Sequence, residues 1–190
     1  MIYTLSNKLI LYLEKNNVLK EDKEIYLYGA RLVISTLMGT ILLFLVGIIT
    51  NHFIEAVLYE IVMSSSRSIL GGYHCKSYTK CIFTYVGIFV VSLVMAEICS
   101  LNTTVIFVIG IITLLITLTL CPIQNVNKLI SPKKKRIFRI YSLIYMGVYL
   151  LIIGYLYSIH SSFLGIMVSM LVMINILTIG GKIDYEKNKE

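Results

Sequence analysis

The sequence predicts an all-α, polytopic membrane helical bundle of about six transmembrane helices, preceded by an N-terminal amphipathic interfacial region. Apolar residues make up 57% of the 190 residues and charged residues only 14%, whereas about 25% of a typical soluble domain is charged. Several stretches without any charge approach or exceed the roughly 20 apolar residues that cross a bilayer as a helix. This composition excludes a secreted disulfide scaffold, a soluble DNA-binding domain and a typical cytosolic enzyme.

Residues 1–30 are predicted to be amphipathic helices at the inner membrane interface. Ile2, Leu5 and Leu9 recur at helical spacing among polar residues, which is the pattern of a helix lying on a membrane surface. Asn16-Asn17 interrupts the pattern, and Glu21-Asp22 can start a second short helix. The alternative is that this region packs on the cytoplasmic loops.

Long apolar runs define five of the predicted spans. Leu32–Thr50, Ile98–Asn127 and Ile140–Gly181 contain no Asp, Glu, Lys or Arg, and the last run is long enough for two spans. The stretch Phe53–Leu70 is marginal because it contains Glu55, Glu60 and Arg67. The predicted spans are 32–50, 82–99, 103–121, 138–158 and 162–180, with 53–70 as the sixth.

The distribution of positive charge predicts the orientation. All 17 Lys and Arg residues lie in segments 1–31, 67–81, 122–139 and 181–190, and cytoplasmic loops are enriched in these residues. Both termini are therefore expected in the cytoplasm, with the protein in the cell membrane. Six crossings keep all four basic segments on one side, whereas five would place segment 122–139 outside. The predicted organisation is a transmembrane domain at 31–181 that includes the basic cytoplasmic loop 122–139, followed by a cytoplasmic tail at 182–190.

The densest cluster of chemically active side chains lies in a predicted loop, 67–81. A cysteine thiolate is a strong nucleophile near neutral pH when a neighbouring group takes its proton. His74 and Cys81 supply such a pair for acyl transfer to a peptide carbonyl. Gly71 and Gly72 allow close backbone approach, and free N–H groups there could hold an oxyanion.

Spacing constrains this pair. Residues seven apart on one straight helix are separated by about 10.5 Å along its axis, whereas proton transfer needs about 3 Å. The chain must therefore bend between His74 and Cys81, or the two must meet across a homodimer. Glu55, Glu60 and Ser77 are candidate supporting residues. A zinc site formed by His74, Cys75 and Cys81 lacks a fourth ligand, so no metal or other cofactor is predicted.

The pattern Arg67-x-x-x-Gly71-Gly72-Tyr73-His74, followed by Cys81 seven residues later, resembles the signature of the accessory gene regulator B (AgrB) family. Members of that family are multi-pass membrane cysteine endopeptidases of Gram-positive quorum sensing. Chain length, the polar N-terminal region, about six spans and a Pro-containing basic loop agree with the resemblance.

The resemblance implies that Cys81 is the nucleophile and His74 the general base and acid. The substrate would be a short AgrD-like precursor signalling peptide with an amphipathic leader and a charged C-terminal tail. The enzyme would remove the tail, retain the peptide as a thioester on Cys81, and promote closure to a thiolactone or lactone. The remaining site candidates, for substrate binding or structural support, are Arg67, Gly71, Gly72, Ser77 and Glu60.

A second basic cluster, formed by Lys133, Lys134, Lys135 and Arg136, has two main explanations. It sets topology and contacts anionic lipid of the surrounding bilayer, or it steers an acidic peptide tail toward the site. No nucleic-acid partner is predicted, because no nucleic-acid-binding fold accompanies this short run.

Two other functions fit the composition. A small multi-pass peptide transporter or export partner would use His74 and the Glu residues along a transport path, although no clear inverted repeat favours it. A non-catalytic membrane scaffold would tolerate substitution of both Cys81 and His74.

Overall fold

The structure is a computed structural model that describes residues 2–16, 22–73, 75, 77–98, 102–123 and 131–187. Within these ranges the chain forms seven α-helices and no β-strand, which confirms the predicted fold class. The helices are α1 (Ile2–Lys15), α2 (Lys23–Ile49), α3 (Phe53–Leu70), α4 (Tyr78–Ile98), α5 (Thr103–Leu120), α6 (Pro132–Ser158) and α7 (Leu164–Lys187). Five of them, α2 and α4 to α7, are long and apolar enough to cross a membrane.

Two helices begin earlier than the charge-free runs indicate. The helix expected to start near Glu21-Asp22 is not short, because α2 continues from Lys23 to Ile49 as one helix of 27 residues. In the predicted loop 122–139, α6 already begins at Pro132. Proline is favoured at the first helical position, where its missing N–H costs no hydrogen bond.

The marginal sixth segment is one unbroken helix, α3. Its 18 residues rise about 27 Å, slightly less than the roughly 30 Å of bilayer hydrocarbon. Its 18 residues include Glu55, Glu60 and Arg67, whereas each of the five apolar spans contains a stretch of the same length with at most two charged residues. A sixth crossing therefore stays a prediction based on the distribution of charge.

The basic residues of the described helices from α2 onward lie toward alternate helix ends along the chain. They occur toward the starts of α2, α4 and α6 and toward the ends of α3 and α7. This is the pattern expected when successive helices cross in opposite directions with one basic side. The side on which the termini lie stays a prediction.

The chain divides into two compact units, and the first comprises Met1–Phe53 and Cys75–Gly87. In this unit α1 packs against α2, with Ile2, Ser6 and Ile10 on its buried face. Leu5 and Leu9, which the sequence places on the apolar face, are exposed. An exposed apolar face is compatible with a membrane interface, and that location stays a prediction.

Aromatic and charged contacts fix the start of α4 in this first unit. The Tyr3 ring of α1 meets the Tyr78 ring edge-to-face, with 6.2 Å between centroids. The Arg31 guanidinium of α2 lies 4.8 Å from the centroid of the same Tyr3 ring, a distance at which a cation and a ring attract. These contacts connect three helices around the first turn of α4.

The second unit comprises Ile54–His74 and Ile88–Glu190, and α5, α6 and α7 pack against one another within it. Asn175 Nδ2 of α7 donates to Thr113 Oγ1 of α5 at 2.7 Å. Tyr149 of α6 donates through its hydroxyl to the Met167 carbonyl of α7 at 2.9 Å. Such bonds are a main source of helix association where lipid offers no hydrophobic driving force.

The helix that precedes the candidate site is attached to α6 by hydrogen bonds. Tyr145 Oη donates to the Val62 carbonyl at 3.0 Å. Ser142 Oγ, one turn earlier on α6, lies within hydrogen-bonding distance (3.3 Å) of the Ile69 carbonyl. The C-terminal half of α3 is thus held at two points against a membrane-spanning helix.

Candidate active site

The polar segment between α3 and α4 begins with two glycines that end α3. Gly71 has φ +78° and Gly72 has φ +146°, values that residues with a Cβ rarely adopt. A positive-φ glycine directly after the last helical residue is a common helix terminator. The predicted loop 67–81 is therefore shorter than expected, since Arg67 belongs to α3 and Cys81 to α4.

A segment that follows α5 packs closely against this glycine pair. The Ile123 N–H donates to the Leu70 carbonyl at 2.9 Å, so the last carbonyl of α3 gains a partner outside the helix. A Cβ on Gly71 would lie 2.7 Å from the Ile123 carbonyl oxygen. Gly71 is therefore required both by backbone conformation and by contact with Ile123.

Tyr73 is anchored through its backbone on both sides. Its N–H donates to the Leu177 carbonyl of α7 at 3.0 Å. Its carbonyl accepts from Nη2 of Arg67 at 3.0 Å. Arg67 thus ties the end of α3 to the residue that immediately precedes His74 in the chain. His74 itself lies outside the described residues.

Cys81 occupies the first turn of α4, where it is half-buried and free of any disulfide. Its N–H donates to the Ser77 carbonyl at 3.0 Å, so Ser77 is the residue from which the helix starts. The N-terminal turn of a helix favours negative charge because its N–H dipoles point outward. A thiolate at Cys81 would be in such an environment.

The other described cysteines have different surroundings. Cys75 is half-buried, and its thiol donates to Thr84 Oγ1 at 3.7 Å. Cys121, one residue beyond the end of α5, is 1% exposed. Burial raises the pKa of the Cys121 thiol to about 12, with the positive charge of Arg139 acting in the opposite direction. Cys99 lies outside the described residues.

The remaining predicted site residues lie on two helices. Glu60 is half-buried on α3, two turns before Arg67. The four basic residues 133–136 lie within the first five residues of α6 and are exposed. In that position their charges oppose the helix dipole, so an anionic surface or ligand would relieve an unfavourable arrangement.

Sequence reasoning missed several contacts that organise the segment. The partners of Gly71 and Tyr73 come from Ile123 and Leu177, which are 50 or more positions away, and ordinary apolar residues give no signal of such pairing. Among the described residues, no three His, Cys, Asp or Glu side chains gather closely enough to hold a metal ion.

Comparison with known proteins gives the family. The family model described as Accessory gene regulator B matches residues 6–179. An AgrB-like protein of Clostridium beijerinckii is 31% identical over 147 residues, which cover 76% of this chain and 73% of that protein. An AgrB-like protein of Clostridium perfringens (strain SM101 / Type A) is 30% identical over 126 residues, covering 61% of this chain and 58% of that protein. No solved structure gives a significant match.

The family model covers nearly all of the described helices, from α1 into α7. It includes the glycine pair, the anchored Tyr73 and the cysteine of the first turn of α4. The chain therefore belongs to the accessory gene regulator B (AgrB) family, whose members take part in accessory gene regulator quorum sensing.

Proposed function

We propose that this protein is a membrane-embedded cysteine endopeptidase that processes a quorum-sensing precursor peptide. The observation that supports it most is the pattern Arg67, Gly71-Gly72, His74 and Cys81 within a chain that belongs to the AgrB family. Family membership implies a precursor peptide as substrate in a membrane setting. The proteolytic step is our inference from the chemistry of the cluster.

The contrast among the cysteines supports Cys81 as the nucleophile. Cys121 is buried and its raised pKa keeps it protonated, and a protonated thiol does not attack a carbonyl. The thiol of Cys75 donates a hydrogen bond to the Thr84 hydroxyl. Cys81 combines partial exposure with the first turn of a helix, where a developing negative charge is favoured.

The first proposed reaction step is acyl transfer to the enzyme. His74 takes the proton of the Cys81 thiol, and the resulting thiolate attacks the carbonyl carbon of the scissile peptide bond. The carbon–nitrogen bond then breaks, and His74 returns the proton to the leaving amine. The C-terminal tail departs as a free peptide, and the rest of the substrate stays on Cys81 as a thioester.

The second step closes the ring. A Cys or Ser side chain within the retained peptide attacks the thioester carbonyl, and Cys81 leaves as the thiol. Exchange between two thiols is nearly isoenergetic, so hydrolysis is the main competing reaction. A site that excludes water and holds both ends of the peptide together would favour a thiolactone, or a lactone when the attacking group is Ser.

The four basic residues 133–136 are proposed to steer an acidic peptide tail toward the site. They are exposed and lie where the dipole of α6 disfavours positive charge, so a bound anion is favourable there. Anionic lipid headgroups are the competing partner. Arg67 has a further role in this proposal, since its guanidinium supports Tyr73 through a hydrogen bond and retains other donors for substrate.

The proposal is tested by co-expressing the chain with the precursor. A short open reading frame beside the gene, encoding an amphipathic peptide with an internal Cys or Ser and an acidic tail, would supply the substrate. Cys81→Ala is expected to abolish release of the tail, and His74→Ala to slow it at least about 100-fold, the usual contribution of a general base. Cys75→Ala is the matched control and should retain cleavage. Mass spectrometry of the peptide products gives the readout.

The same experiment distinguishes the alternative of a peptide transporter. A transporter would move intact peptide in a gradient-dependent way. The peptide would then keep the full mass of the precursor with the wild-type chain as well as with both variants. Cleavage that persists in both Cys81→Ala and His74→Ala would contradict the proposed pair.

A further inference from the structure

The segment before His74 is attached to α7 at a point where two backbones nearly touch. The carbonyl of Leu177 accepts the Tyr73 N–H at 3.0 Å, although a helix carbonyl normally accepts from the residue four positions later. That later residue is Gly181. A carbonyl oxygen has two lone pairs and can accept a second donor, provided that the donor can approach the helix closely.

Gly181 makes this approach possible. A Cβ at position 181 would lie 2.5 Å from the Gly72 carbonyl carbon, 2.7 Å from the Tyr73 nitrogen and 2.9 Å from Gly72 Cα. All three are backbone atoms, so no side-chain rotation can relieve the overlap. Any residue other than glycine would push the Gly72–Tyr73 backbone away from α7.

The neighbouring glycine has no such requirement. A Cβ on Gly180 would meet only the Tyr73 Cβ, at 3.8 Å, which is an ordinary van der Waals contact. The two glycines stand side by side in the same helix and share its backbone conformation. They therefore form a natural pair in which one position tests the contact and the other tests glycine removal alone.

The Tyr73 carbonyl completes the attachment. It accepts from Arg67 Nη2 at 3.0 Å and belongs to the peptide unit that joins Tyr73 to His74. With the Tyr73 N–H fixed to α7 and this carbonyl fixed to α3, the backbone leading into His74 is anchored at both polar groups.

We propose that Gly181 is a positioning residue for catalysis, because the absence of a side chain at this position lets α7 hold the Gly72–Tyr73 backbone that immediately precedes His74 in the chain. This inference rests on the proposed function of the His74 and Cys81 pair. A displacement of about 1 Å in a catalytic group can lower a rate about 100-fold. Gly181→Ala should therefore lower kcat for tail release by about that factor, while KM changes little.

The decisive experiment measures the reactivity of Cys81 without a peptide substrate. Full-length protein in detergent micelles is alkylated with iodoacetamide between pH 5 and 10, and mass spectrometry follows the fragment that contains Cys81. An imidazole that pairs with the thiol keeps thiolate available at mildly acidic pH, so wild-type alkylation should persist below pH 7. His74→Ala should lose this alkylation below pH 7, which is the acidic limb of the pH profile. Gly181→Ala should match His74→Ala, and Gly180→Ala should match the wild type.

The outcomes separate the two proposals. If wild type and His74→Ala give the same profile, the catalytic pair and this inference both fail. If His74→Ala loses the acidic limb and Gly181→Ala keeps it, the pair stands and the role of Gly181 is wrong. Loss of the limb in both Gly181→Ala and Gly180→Ala would also contradict the role of the close contact.

A second variant keeps the inference testable if Gly181→Ala does not fold. Arg67→Gln shortens the side chain that reaches the Tyr73 carbonyl and leaves α7 unchanged. The acidic limb should be weakened in this variant, because one of the two anchors of Tyr73 is lost. An unchanged profile in folded Arg67→Gln, judged by size-exclusion chromatography and circular dichroism, would overturn the proposal that anchoring of Tyr73 contributes to catalysis.

Discussion

Replacing Gly71 by alanine tests the geometry of the helix end directly. Gly71 terminates α3 at φ +78°, a conformation that costs a residue with a Cβ about 1–2 kcal/mol. The new Cβ would also lie 2.7 Å from the Ile123 carbonyl oxygen and 3.3 Å from Ile123 Cβ. The segment that contains Ile123 must therefore move away from α3.

The expected magnitude follows from these two effects. Moving Ile123 weakens its N–H bond to the Leu70 carbonyl, now 2.9 Å long, and a lost hydrogen bond of this kind costs about 0.5–1.5 kcal/mol. Together with the cost of the backbone conformation, this loss should make Gly71→Ala less stable than the wild type by about 1.5–3.5 kcal/mol. A change of this size is a large part of the stability of a typical domain.

A matched control separates the contact from the loss of glycine itself. Gly154 lies within α6, and a Cβ there meets nothing within 4 Å. Gly154→Ala should be neutral or stabilise the helix by up to about 1 kcal/mol, because alanine is the better helix former. Unfolding of each variant in detergent micelles, followed by circular dichroism, gives the comparison. If Gly71→Ala proves as stable as Gly154→Ala, the described end of α3 is wrong.

Three further predictions concern other parts of the molecule. Thr113→Val removes the hydrogen-bond acceptor of Asn175 and should destabilise the bundle by about 0.6–1.7 kcal/mol. A double-mutant cycle with Asn175→Leu should show strong non-additivity, and additive effects would contradict a direct hydrogen bond. Replacing the four basic residues 133–136 with glutamine should raise KM for an acidic-tailed precursor about tenfold at low salt, with the difference shrinking as salt increases; an effect independent of salt would contradict steering. Since burial raises the pKa of Cys121 to about 12, only about one Cys121 thiol in ten thousand is ionised at pH 8. Alkylation of Cys121 should therefore be the slowest among the described cysteines and should become faster as pH rises toward 12. Rapid labelling of Cys121 at pH 8 in folded protein would contradict its burial.

Much of the helical organisation could be predicted because lipid imposes a simple requirement on sequence. Long apolar runs with little or no charge located five helices, since a charged side chain is costly within hydrocarbon. The same runs could not show where a helix extends beyond the membrane. Lys23 and Pro132 begin α2 and α6 within charged segments, where helical hydrogen bonding continues although the apolar pattern has stopped.

The sequence was sufficient to propose the reactive groups of the candidate site and its local supports, but not the distant residues that contact those supports. His74 and Cys81 are notable for their chemistry, and Gly71-Gly72 indicates a bend, so a local pattern is sufficient to select them. The contact of Gly181 with Gly72 depends on packing between segments more than 100 residues apart. A second glycine pair within an apolar helix was the one available hint, because small residues often mark close helix contacts in membranes.

The central claim, covalent catalysis by Cys81, is tested most directly by trapping the acyl-enzyme. A precursor whose ring-forming Cys or Ser is replaced by alanine can donate its acyl group and cannot close the ring, so the intermediate should accumulate. Mass spectrometry of the protein should then show the peptide without its tail attached at Cys81 through a bond that hydroxylamine cleaves. Release of the tail at the normal rate, with Cys81 remaining unmodified in rapidly quenched samples, would contradict the account.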